Sequence, residues 1–103
     1  MKQLIALGTL LFTFTAAAGC PSAVPARTPE IPNGAAASEL SMLDAMAAVR
    51  SYVQTIEAYL DCRDFALSDR RYDELVDKAS DAAGAYNREL VRFQQRDEAL
   101  AQN

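Results

Sequence analysis

Histidine and tryptophan are absent from the 103 residues, and cysteine occurs only twice, at Cys20 and Cys62. Without imidazole, neither a Ser-His-Asp nor a Cys-His arrangement can be assembled, and metal sites built on histidine are excluded. A nucleophilic cysteine needs a neighbouring base or a depressed pKa, and no histidine is present to act as that base. The chain is therefore expected not to be an enzyme. Phosphate-cradling glycine loops, nucleotide fingerprints and aromatic RNA-binding patterns are also missing, and no cofactor is implied. Proline is confined to Pro21, Pro25, Pro29 and Pro32, and Gly84 is the only glycine after Ser38. Nothing from Ser38 onward therefore contains the strongest helix breaker.

The first 20 residues form a pattern of their own. A single positive charge at Lys2, an apolar block from Leu4 to Phe14 and small residues after it reproduce the three regions of a secretory signal peptide, expected over residues 1–19. Ala16 and Ala18 occupy the minus-three and minus-one places of an ordinary cleavage site, which would free a soluble periplasmic protein starting at Gly19. Alternatively, Ala17-Ala18-Gly19-Cys20 resembles the lipobox of bacterial lipoproteins, with Ala17 where Leu is usual. That resemblance implies acyl chains on Cys20, with Pro21 beside it favouring the outer membrane. An uncleaved anchor is disfavoured, because Pro21 and Pro25 interrupt the run and a span needs about 20 mostly apolar residues.

Loss of residues 1–19 would remove Lys2 from the 10 basic residues and leave 9 against 14 acidic ones, a formal charge of about −5. This balance argues against a nucleic-acid partner, which needs a basic face to displace counterions. It also argues against electrostatic attachment to anionic lipid, so membrane contact is expected only through a lipid on Cys20. Residues 20–37, rich in Pro and Ala, show no helical or strand period and are expected to be a linker. Proline stiffens such a segment, and the 14 residues from Pro21 to Gly34 at about 3 Å each would hold the folded part about 40 Å from an anchor. Asn33-Gly34 marks a turn ahead of the helical region.

Residues 38–103 are expected to fold as an antiparallel helical hairpin, with helices at about 38–63 and 69–101. In the first, Met42, Met46, Val49, Val53, Ile56 and Leu60 recur at spacings of four and three, a coiled-coil heptad seam. Tyr52 and Tyr59 are expected to flank this seam with their hydroxyls in water. Ser38 and Ser41 are both candidate N-caps, and Ser68-Asp69 reads as a new helix start after the seam breaks near Cys62. The second helix carries Tyr72, Leu75, Val76, Ala79, Ala82, Ala83, Tyr86, Leu90 and Phe93 at helical spacings, with Leu75, Ala79, Tyr86, Leu90 and Phe93 as its packing seam. The small stretch from Ala79 to Gly84 would let a partner helix approach closely. Glu74 and Lys78 form an i, i+4 pair in the better orientation.

A lone hairpin buries one side of each seam. A dozen half-buried apolar side chains do not offset an ordering cost of about 1.5 kcal/mol per residue. A second copy completing a four-helix bundle, or an envelope protein partner, would supply the missing cover. The cysteines leave alternatives open: a Cys62 to Cys62 bridge locking a dimer, a buried structural thiol, or a Cys20 to Cys62 disulfide closing a loop of about 40 residues and contributing about 4 kcal/mol. Asp69, Asp73, Asp77 and Asp81 form a four-residue ladder of acids on the second helix, which could attract a hard cation but lacks a wrapping turn and is read as a solvated face, with no metal site assigned.

Ile31-Pro32-Asn33-Gly34, Tyr52-Val53, Tyr59-Leu60-Asp61-Cys62 and Tyr86-Asn87-Arg88-Glu89-Leu90-Val91-Arg92-Phe93 together are similar to small exported helical proteins of proteobacteria. The resemblance covers most of the chain after the signal segment. It implies no activity and assigns no functional residue. The sequence thus points to a cell-envelope protein acting by helix-mediated association with itself or a partner; the competing reading is a redox- or cation-responsive module using Cys62 or the acidic ladder.

Overall fold

A computed structural model describes residues 20–102, so the expected signal segment 1–19 lies outside the described residues. Two long helices account for most of it: α1 (Glu39–Arg63, 25 residues) and α2 (Asp69–Ala101, 33 residues), joined through a single 3-10 turn at Asp64–Ala66. No strand occurs among the described residues. Both helix starts use serine caps. Ser38 Oγ accepts from the Ser41 amide at 3.1 Å, which makes Ser38 and not Ser41 the cap of α1. Ser68, with extended φ −67° and ψ 153°, accepts from the Arg71 amide at 3.2 Å. Around the first turns of α2, Glu74 pairs with Arg70 and Arg71, both at 3.4 Å, and not with Lys78.

The hairpin is antiparallel. Leu60 shares a groove with Tyr72 and Val76, whereas Met46 shares one with Ala83 and Tyr86. The core between the helices is built from Met42, Ala45, Val49, Tyr52, Ile56 and Leu60 of α1 against Leu75, Ala82 and Tyr86 of α2. Ile56 and Leu75 are its most fully enclosed side chains.

The expectation of a free, stiff tether over residues 20–37 is corrected by the structure. This segment is a strap laid along one face of the hairpin. It starts where Cys20 is bonded to Cys62 near the end of α1, with the two Cα atoms 5.6 Å apart. Thr28, Pro29 and Ile31 then pass beside Ser80 to Arg88 of α2, and Ile31 and Pro32 beside Ser41 to Ala48 of α1. Val24, Ile31 and Ala37 pack onto the core. Extended chain reaches about 3 Å per residue against 1.5 Å for helix, so 14 residues span a helix of α1's length. The reach that would have spaced the domain from an anchor is spent crossing the domain instead.

At its far end the strap folds into a turn and is pinned to α2 by two hydrogen bonds. Asn33 makes the expected turn: its carbonyl accepts from the amides of Ala36 at 3.0 Å and Ala37 at 2.8 Å, and its side-chain Oδ1 accepts from the Ala35 amide at 3.1 Å. The Gly34 amide donates to Glu89 Oε1 at 3.2 Å. Arg96 Nη1 donates to the Ala37 carbonyl at 2.8 Å while its guanidinium lies 4.7 Å from the centre of the Phe93 ring.

Gly34 is needed for space, since its φ is not positive. A Cβ there would overlap the Glu89 carbonyl oxygen and sit 2.7 Å from the carbonyl carbon and 3.1 Å from the Phe93 amide nitrogen. These are backbone atoms of α2 and cannot swing aside. Gly34→Ala is therefore expected to destabilise by about 2 to 3 kcal/mol through forced separation of strap and helix. Gly84 is the opposite case, because its added Cβ would meet only Arg88 Nη1 at an ordinary 3.5 Å. Gly84→Ala is expected to stabilise α2 by about 0.5 to 1 kcal/mol. Thermal melts of the two variants should move in opposite directions, and a neutral Gly34→Ala would contradict the close packing of the strap on α2.

Candidate interaction groove

Two helices side by side leave a groove on each of their faces, and the strap fills only one. This asymmetry accounts for where the apolar residues end up. The seam expected on α1 contained Met46 and Val53, but both are only partly buried, while Ala45 and Tyr52 take their places in the buried stripe. Tyr52 is 5% exposed, so its expected position at a wet edge is corrected. The buried stripe is rotated toward the strap, which covers that flank, and away from the open face. Met42, Val49, Ile56 and Leu60 are buried as expected. On α2, Leu75 and Tyr86 are buried, whereas Ala79, Leu90 and Phe93 pack at the margin of the core.

The residues displaced from the core line the uncovered groove. Toward the hairpin turn it is bounded by Val53, Ile56 and Leu60 of α1 and by Tyr72, Val76, Ala79 and Ala83 of α2, with about 370 Å³ of space. Toward the other end it continues along Met46, Val49, Val53, Ala83 and Tyr86, with about 310 Å³. Val76 is 42% exposed and Tyr72 39%. Larger hollows of about 490 and 640 Å³ border the strap, but charged and hydroxyl side chains line them, including Glu30, Ser41 and Asp44 in one and Ser80, Asp81 and Arg88 in the other. The uncovered groove is the apolar one. Its rim carries few charges: Arg50, Glu57 and Asp61 on α1, with Gln54, Ser80 and Asn87 as neutral polar neighbours.

Neither cysteine is free. Of the alternatives the sequence leaves open, the structure holds the Cys20–Cys62 disulfide, and not a free Cys62 thiol or a Cys62 to Cys62 bridge. A thioether-linked lipid and a disulfide cannot share one sulfur atom, so acylation at Cys20 Sγ and this fold's covalent closure are mutually exclusive. The acidic ladder of Asp69, Asp73, Asp77 and Asp81 is exposed along α2. Among the described residues no group of three His, Cys, Asp or Glu side chains converges so as to hold a metal ion. Among the same residues no helix is long and apolar enough to cross a membrane.

The groove was half legible in the sequence. Met46 and Val53 fall on the heptad seam, and Tyr52 and Tyr59, expected at its wet edge, add two aromatic rings on its flank. Read together, they indicate an apolar arc wider than one partner helix can hide. No protein-family model, curated protein or solved structure matches the chain.

Proposed function

We propose that the protein is a non-enzymatic component of a bacterial cell envelope that works by docking a helical surface into the groove between α1 and α2. The observation that carries this reading is the groove itself: a continuous apolar channel from Met46 to Leu60, left open opposite the strap. Helix-in-groove association uses apolar anchors at three- and four-residue spacing, and the groove offers matching walls on two helices. Export is supported by the charged, apolar and small-residue regions of the first 19 residues and by the cystine, which persists in oxidising compartments. The lack of histidine supports a non-catalytic role.

A photo-activated cross-linking side chain placed at Val76, inside the groove, tests this in intact cells against the same group at exposed Asp77. Val76 is expected to give light-dependent adducts whose sites of attachment map to a helical segment, and Asp77 to give none. Equal yields at both positions, or no adduct at Val76, would overturn the docking role.

A further inference from the structure

We infer that the groove is covered by a second copy of this chain, groove against groove and antiparallel about a two-fold axis that crosses α1 between Val53 and Gln54. The inference rests on the docking reading above and names its partner. Its basis is the charge pattern on the rim. Arg50 and Glu57 both line the groove, both are exposed, and neither has an ion-pair partner among the described residues. They lie seven residues apart on one helix face, equally spaced about the point between Val53 and Gln54.

A two-fold interface is isologous, so a residue at one distance from the axis meets the residue at the same distance on the other side. With the axis at that point, Arg50 of each copy meets Glu57 of the other, giving two opposite-charge contacts from one helix. Val53 packs beside its own symmetry mate, and Met46 comes to the level of Leu60 and Asp61 on the opposing helix. On α2 the axis passes the level of Ala79, Ser80 and Ala83, which share the groove with Val53. These side chains are small, so the two α2 helices can close to the same separation as the two α1 helices. An arrangement with the axis along the helices would instead set Arg50 over the neutral stretch of the opposing α2 around Ala83 to Asn87, leaving both charges without partners. The strap, the disulfide and the exposed acids of α2 take no part in the interface.

Sedimentation equilibrium of the oxidised protein, with charge reversals at the two exposed positions, tests this. Wild type is expected to dimerise. Arg50→Glu and Glu57→Arg are each expected to weaken the dimer about tenfold or more, because each sets like charges against each other twice. The double variant Arg50→Glu/Glu57→Arg is expected to return to within about threefold of wild type, since the pairs are restored with their signs exchanged. Circular dichroism melts at concentrations below dissociation confirm that the variants fold. A monomeric wild type at 100 μM, or a double variant as weak as either single one, overturns the second copy as occupant. If the Val76 cross-linker then still reacts with a different polypeptide, the docking role survives and only the partner inferred here is wrong. If Val76 gives no adduct, both fall.

Discussion

Reduction of the Cys20–Cys62 bond, or its removal by Cys62→Ser, is expected to lower the free energy of unfolding by about 4 kcal/mol. The two cysteines are 42 residues apart in sequence. Closing a loop of that length restricts the unfolded chain enough to account for about 4 kcal/mol at 25 °C in the chain-entropy description. A domain this small has a total stability near the lower end of the usual 5 to 15 kcal/mol, so the reduced protein keeps only about 1 kcal/mol and about one molecule in six should be unfolded where the oxidised form is fully folded. The native state also suffers, because the start of the strap is then held only by apolar contacts such as those of Val24. Urea titrations with and without a dithiol reductant measure the difference directly. A loss under about 1 kcal/mol would show that the strap's packing, and not its covalent end, dominates.

Leu75→Ala is expected to cost about 3 to 4 kcal/mol, the second-largest effect. Leu75 has no exposed surface and, with Ile56, is one of the two most enclosed side chains in the core. Truncating it removes the transfer free energy of its methyl groups and leaves a cavity between two rigid helices that cannot collapse around it. The adjacent residue provides the control. Val76 is 42% exposed in the open groove, and Val76→Ala should change stability by under about 0.5 kcal/mol at concentrations where the protein is monomeric. Denaturation curves of the two variants thus separate the closed side of α2 from its open side, one residue apart. A cost for Leu75→Ala no greater than that for Val76→Ala would contradict the assigned core.

The helices were legible from the sequence because their signals are local. Ser68 as a cap, the five-residue break from Asp64 to Ser68 and the apolar spacing from Met42 to Leu60 place both elements within a residue of where they occur. The strap was not legible, because it has no period to read. Its apolar contributions come from a few isolated residues, Val24, Ile31 and Ala37, and its fixation depends on contacts across 55 to 59 positions in sequence, Gly34 to Glu89 and Ala37 to Arg96. Proline-rich composition is compatible with a free tether and with an extended layer alike, and only the tertiary surface decides between them. The same omission shifted the reading of α1. A heptad seam identifies a face suited to one neighbour, but α1 has α2 on one side and the strap on another, so Tyr52 moves inward and Met46 and Val53 move to the rim. The expected need for outside cover is thereby halved: the chain shields one groove itself and leaves the other open.

Covalent closure also determines how the molecule bears mechanical load. Tension applied between Cys20 and the far end of α2 would pass through the sulfur–sulfur bond into Cys62, bypassing α1 up to that residue. Strap and α1 then act as a closed shackle, and α2 is the long helix that pulling can peel away without cutting a bond.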